Sequence, residues 1–272
     1  MANHTFLIAE CGSCWRFGQD PISNAFSMIE AAKECGADAA KFQWTSDPTA
    51  MAKRRNLPEA EAMYRQYLAY PIDYLQKFKA HCDKVGIEFM VTCYLSKDIG
   101  KIAPLVSRFK IASAESSDKK FVYDHFQYEK PVIISLAFGS EVRLDRYTNC
   151  PVTYLHCVCK YPTPVEQLNL RHIGTIANWP PGYIENRPSD LLKGLSDHTT
   201  SVLAGALAVA MGATVVEKHA RLWDTPSTNP DYPHSLEVGC TCERTAMGDG
   251  CGSHHDCFAL YVENIREAEK AI

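Results

Sequence analysis

The sequence has no apolar run of the about 18 residues that a membrane span requires. Its longest, from Ser201 to Val216, is interrupted by Gly205 and Gly212 and reads as a buried helix running into a buried strand. No basic leader precedes an apolar core. Met1 to Thr5 is polar and the apolar stretch Phe6-Leu7-Ile8-Ala9 is short, so neither a signal peptide nor a membrane anchor is expected and a cytoplasmic protein is. There is no excess of one charge: 28 Lys and Arg stand against 32 Asp and Glu, a formal net charge of −4. That balance removes the electrostatic case for nucleic acid or an anionic membrane as partner. Linkers, charge blocks and low-complexity stretches are lacking too, and with 46% hydrophobic residues the chain is too apolar for disorder. One domain over 1–272 is expected.

What is present is a regular alternation. Short apolar runs of β character fall at Phe6–Glu10, Ala39–Gln43, Glu88–Thr92, Arg108–Ser113, Pro131–Leu136, Thr153–Val158, Gly194–Asp197 and Ala213–Glu217. Helical spacing follows most of them, as in Ile22 to Cys35 before Gly36, Ile72 to Val85 before Gly86 and Val202 to Met211 before Gly212. Two helices, 57–69 and 72–85, are predicted after the second strand. Strand–helix alternation implies a parallel sheet. Eight repeats imply an α/β fold closed as a (β/α)8 TIM barrel, which at roughly 250 residues accounts for almost the whole length.

Catalytic groups of such a barrel sit at the C-terminal ends of its strands. Polar residues collect at those ends here: Glu10, Lys41, Gln43, Thr92, Lys110, Ser113, Glu115, Ser135, Tyr161, the run Ser196-Asp197-His198 and the run Glu217-Lys218-His219. His198 and His219 end neighbouring strands and suit either a catalytic divalent ion with open positions or two hydrogen-bonded loop histidines. Lys41 and Lys110 repel unless an anion lies between them. They suit an anion site, ion pairs with Glu10, Glu115 or Glu217, or a Schiff-base lysine. Glu10 and Glu115 suit general acid–base work, or pairing with the lysines.

Several blocks resemble one known family. Phe6-Leu-Ile-Ala-Glu10, the run Ala31 to Gln43, Phe109-Lys-Ile-Ala-Ser113, Lys130-Pro-Val-Ile-Ile-Ser135, Leu155-His-Cys157 with Tyr161-Pro-Thr-Pro164, Gly194-Leu-Ser-Asp-His-Thr199 and Glu217-Lys-His219 are similar, in order, to the barrel part of sialic acid synthases. The resemblance implies condensation of phosphoenolpyruvate (PEP) with the aldehyde of an open-chain N-acylated sugar, giving a sialic-acid-like 3-deoxy-ulosonic acid and phosphate. It implies Mn2+ or another divalent cation on His198 and His219, and a homodimer. Carried over by position, Lys41, Gln43, Thr92, Lys110, Ser113 and Ser196 hold PEP. Glu10 and Glu115 lie beside the reacting carbon, Tyr161 and Asp231 face the acceptor, and Ser135 and Asp197 join the substrate-binding set.

The pattern departs from the family at three places. Cys14-Trp15 stands where the family has Asn-His, Cys159 where it has Asn, and Ser135-Leu-Ala-Phe138 where it has Ser-Thr-Gly-Met. These loop changes leave the PEP positions in place and point to a different acceptor. The family's small C-terminal antifreeze-like domain is not expected, since Tyr261 to Lys270 reads as the last barrel helix.

An insertion after strand eight, 238–257, carries Cys240, Cys242, Cys251, His254, His255 and Cys257 among the chain's 12 cysteines. A structural Zn2+ on the four thiols, with His254 or His255 as substitute, is one reading. Free or paired cysteines are the other, and a ligand set shared with Cys11 and Cys14 is a variant of the first. Besides the synthase, a related 3-deoxy-ulosonate synthase, a Schiff-base aldolase and a non-catalytic zinc-stabilised binding descendant remain open.

Overall fold

The computed structural model describes residues 4–137, 150–173, 192–239 and 257–272. The elements are β1 (Phe6–Gly12), α1 (Pro21–Glu34), β2 (Ala39–Trp44), α2 (Pro48–Arg55), α3 (Glu61–Tyr67), α4 (Ile72–Val85), β3 (Glu88–Cys93), α5 (Ser96–Ile102), β4 (Phe109–Ile111), α6 (Lys119–Phe126), β5 (Val132–Ala137), β6 (Val152–Cys157), β7 (Leu192–Asp197), α7 (Ala204–Ala210), β8 (Val215–Arg221), β9 (Leu236–Glu237) and α8 (Phe258–Ala271). The strands run parallel in the order β3-β2-β1-β8-β7-β6-β5-β4. β1 pairs with both β2 and β8, and the two ends of the path, β3 and β4, stand side by side without a ladder between them, so the sheet curls round on itself and nearly closes. The result is the (β/α)8 barrel expected from the alternation, with all eight strands where the sequence placed them to within a few residues.

Local chemistry sets the helix ends. Asp20 and Asp47 accept the backbone N–H groups of Ser23 and Ala50 ahead of prolines at the first helical positions of α1 and α2. Asp118 caps α6 in the same way through Phe121. Gly86, at φ +77°, turns the chain out of α4 in the left-handed conformation that costs glycine least. The sequence reading missed α2. Its eight residues end in Lys53, Arg54 and Arg55 and bury only Pro48, Met51 and Ala52, so no apolar stripe marks it.

Side-chain alternation along each strand builds two separate cores. One set faces the helices: Leu7, Ala9, Phe42, Phe89, Val91, Phe109, Ile111, Ile134, Leu195 and Val216, with Met28, Phe78, Phe258 and Tyr261 against them. The other set faces the barrel axis and is small. Ile8, Ala39, Met90, Ile133, Leu155 and Val215 form an apolar layer across the interior. That layer plugs one end of the barrel, and everything two residues further along each strand lies above it.

Candidate active site

Counting two residues on from the apolar layer gives Glu10, Lys41, Thr92, Ser135, Cys157 and Glu217. All of them, with Lys110 of β4 and Ser196 of β7, line a cavity of about 60 Å3 in the barrel mouth. Gln43, Ser113, Tyr161, His198 and His219 complete its rim. The register therefore converts an apolar plug into a polar floor in a single step, and a floor of charges inside a barrel is stable only when its members compensate one another.

They do so as two carboxylates and two ammonium groups. Glu217 lies 3.5 Å from Nζ of both Lys41 and Lys110, and Lys41 is also in tight contact with Glu10. Lys110 donates to the Ser135 hydroxyl at 2.8 Å and Lys41 to the Thr92 hydroxyl at 3.3 Å. Glu10 Oε1 accepts from the Gly12 N–H at 2.7 Å and from the Gln43 amide at 3.1 Å. Burial pushes the Glu10 carboxyl up and outweighs Lys41; with Glu217 and Asp231 adding to the rise, its pKa reaches about 7. At Lys41 burial is outweighed by the two carboxylates it is shared between, and the ammonium stays charged. Burial lowers the pKa of Lys110. Burial opposes ionisation of Glu217 as well, but Lys110 and Lys41 overcome it and hold this carboxyl below its usual range.

Three imidazoles crowd one side of the mouth. The ring of His219 stands 5.6 Å from that of His198 and 4.4 Å from that of His234, and Tyr161 lies over His198 at 4.2 Å. Burial keeps all three neutral, taking His198 down to about 4 and His219 and His234 below the normal imidazole value. Neutral imidazole is the form that ligates metals. His198 sets Nδ1 at 3.2 Å from the Val158 carbonyl. Asp231 enters from the loop after β8, where its Oδ2 accepts from both N–H and O–H of Ser13 at 2.7 Å.

Beside the small cavity opens a wider one of about 390 Å3. Ser13, Arg55, Met63, Tyr64, Leu68, Tyr94, Cys159, Tyr161, Asp231 and His234 are among its walls. Glu115 belongs to this side. It takes a bidentate contact from Arg55 at 2.8 and 2.9 Å and is paired with neither lysine.

Two sequence expectations land elsewhere. Asp197 points outward, as alternation demands between the inward Ser196 and His198. It accepts from the Thr199 N–H at 2.8 Å and the Tyr261 hydroxyl at 2.9 Å, so it ties β7 to its own loop and to α8. Trp15 is fully buried in the outer core, 5.0 Å from both Tyr70 and Phe78 in edge-on contact. Cys14 is buried too, with Sγ at 3.5 Å from the Ser235 hydroxyl. Neither lines the wider cavity, so the Cys14-Trp15 departure reshapes packing under the loop and not the acceptor wall. Of the inserted cluster, Cys240, Cys242, Cys251, His254 and His255 lie outside the described residues; Cys257 is buried at the start of α8. The sequence offers Glu217 only as a possible ion-pair partner of the lysines, which it is, and does not single out Arg55, Tyr94 and His234. Glu217 is reachable from the strand period, whereas the other three depend on loop and helix packing.

A parallel barrel with paired lysines and carboxylates on its floor and imidazoles at its rim has the layout of a barrel enzyme's active site. Residues 28–241 match the NeuB family. The chain is 31% identical over 256 residues to the N,N'-diacetyllegionaminic acid synthase of Legionella pneumophila, covering 85% of this chain and 68% of that protein. It is 27% identical over 271 residues to a pseudaminic acid synthase of Campylobacter jejuni, covering 92% and 71%. The crystal structure of a sialic acid synthetase from Leptospira borgpetersenii shares the fold, with a TM-score of 0.74 at 22% identity over 99% of this chain and 85% of that one. The chain belongs to the NeuB family and is a sialic acid synthase-like enzyme, as its motifs anticipated.

Proposed function

We propose that this enzyme condenses PEP with the aldehyde of an open-chain, N-acylated sugar, with a divalent cation such as Mn2+, to give a sialic-acid-like 3-deoxy-ulosonic acid and phosphate. The observation that carries the reading is the buried floor of Lys41 and Lys110 around Glu217. Two cationic groups at the end of the barrel, ringed by the hydroxyls of Thr92, Ser113, Ser135 and Ser196, are what the phosphate and carboxylate of PEP require. That two relatives are named as synthases of N,N'-diacetyllegionaminic acid and of pseudaminic acid supports the reading.

The residues divide the work as follows. Lys41 and Lys110 offset the anionic charges of PEP while its C3 forms a bond to the aldehyde carbon. A bound divalent ion at the imidazole rim, with His198 and His219 as its holders, supplies Lewis-acid polarisation of that aldehyde oxygen. Positive charge then develops at PEP C2, and Glu10, in its carboxylate form, takes a proton from the water that adds there. The C2–O bond of the tetrahedral intermediate breaks, phosphate leaves, and C2 becomes the ketone. The wider cavity, with Arg55, Tyr64, Tyr94 and Asp231 on its walls, accommodates the acceptor.

Phosphate release from PEP, measured with Mn2+ and a panel of N-acylated sugar aldehydes, tests the reading; no release with any of them sinks it. One feature favours a second reading. The lowered Lys110 is also what a Schiff-base aldolase needs, and borohydride trapping with pyruvate would reveal it as a covalent mass increase at Lys110.

A further inference from the structure

The loop after β8 brings a second imidazole and a carboxylate to His219. One ligand atom from each of His219, Asp231 and His234 lies within 4.8 Å of the other two. His234 is 3% exposed and His219 6%, yet among the described residues neither ring nitrogen of His234, nor Nδ1 of His219, has a hydrogen-bond partner. A buried histidine normally satisfies at least one nitrogen, and His234 satisfies neither among the described residues. The carboxylate beside them is already aimed. Ser13 holds Asp231 Oδ2 through two hydrogen bonds, and Oδ1 stands 3.6 Å from His234 Nε2. Such outer bonds are how proteins orient a ligating carboxylate before the ion arrives.

We propose that Asp231 and His234 join His219 in holding this chain's divalent ion, so that its own side chains keep the ion resident before either substrate binds. Two histidines alone leave most of the coordination sphere to water and substrate. Two imidazoles and a carboxylate on one corner form a set that binds first-row divalent ions without help. His198, 6.0 Å away ring to ring from His234, faces the same corner from β7. The inference deepens the metal-dependent reading and rests on it only for the place of the ion. His234 thereby acquires a role as a ligand, and Ser13 a role as the residue that positions one.

The test is metal binding by the full chain, stripped with chelator and free of substrate. Mn2+ is the probe, because a hard ion passes over the thiolates of the 238–257 insertion. Free Mn2+ is followed by its paramagnetic resonance signal. The expected result is one Mn2+ per chain with no PEP present, and binding about tenfold or more weaker in His234→Ala and Asp231→Asn. Circular dichroism confirms that each variant is folded; if His234→Ala is not, His234→Gln takes its place. Equal affinity of folded His234 variants and parent, or no binding until PEP is added, overturns the proposal and leaves the condensation reading standing. Tight binding with no phosphate release from any aldehyde leaves the resident ion standing and sinks the condensation.

Discussion

Replacing Glu217 by Gln tests the charge arithmetic of the floor. The substitution keeps the shape and a partner for the Ser196 hydroxyl, which now lies 3.2 Å from Glu217 Oε1, but removes the anion that two lysines share. At 3.5 Å each pair is worth about 5 kcal/mol of gross attraction at an effective dielectric of about 20. Most of this offsets desolvation, so the net loss expected is the about 3–5 kcal/mol seen when one member of a buried ion pair is removed. Lys41 keeps Glu10; among the described residues Lys110 keeps the Ser135 hydroxyl and the Ile111 carbonyl. Its escape is to lose a proton. A lysine whose pKa falls further in the folded state makes folding more favourable as pH rises from that lowered value towards its unfolded one. The loss should therefore be largest near pH 6.5 and shrink by pH 9. Inorganic phosphate should recover part of it by replacing the missing anion. Urea unfolding at both pH values, with and without phosphate, reads all three effects. A loss below about 1 kcal/mol at pH 6.5, well under what an uncompensated buried charge costs, or a loss independent of pH, would refute the argument that Glu217 holds the floor together.

Other outcomes follow from neighbouring residues. With Glu10 titrating at about 7 and acting as a base, kcat/KM should rise through that pH and Glu10→Gln should remove the limb; a fall instead would make Glu10 an acid. The same raised pKa means the native carboxyl keeps a proton that the unfolded chain releases at about 4.5, so stability should decline from about pH 4.5 to about 7 in the parent and not in Glu10→Gln. The exposed Cys159 thiol, lowered to about 6 chiefly by the hydrogen bond from Cys157, should be alkylated by iodoacetamide at pH 7 ahead of every other described cysteine, as peptide mass mapping would show. Trp15→Ala should cost about 3–5 kcal/mol by emptying the space against Tyr70 and Phe78; urea unfolding measures it, and a loss under about 1 kcal/mol would mean that the ring is not the anchor its burial implies.

The barrel was legible because its strands carry their own punctuation. β-Branched and aromatic runs end in a polar residue and give way to helices stopped at Gly36, Gly86 and Gly212. The floor was legible for a stricter reason. In a strand the inward positions recur every second residue, so Ile8 commits Glu10, Ala39 commits Lys41, and Val215 commits Glu217 and His219. The same rule excludes Asp197, which stands between two inward residues and bonds Tyr261 behind the sheet. Strand polarity was thus the correct signal for Ser196 and His198 and the wrong one for their neighbour, because a polar end residue can face either way.

The rim follows no such period. Arg55 closes a helix that no apolar stripe announces, and it reaches Glu115 only because the short turn after β4 brings that carboxylate to it. His234 sits beyond twelve loop residues that have neither helical nor strand spacing, and meets His219 through the turn that Asp231 and Ser13 pin in place. Trp15 shows the reverse: a loop residue at a family-specific position that turns out to fill core. This difference has a physical consequence for function. Floor residues are fixed by backbone ladders, so moving one means slipping a strand and inverting its whole face. Rim residues are fixed by side-chain contacts that a single substitution can exchange. On the proposed reading, the acceptor wall and two of the metal's holders, Asp231 and His234, belong to the layer that the ladder does not constrain, while His219 and the charged floor below it stay with the sheet.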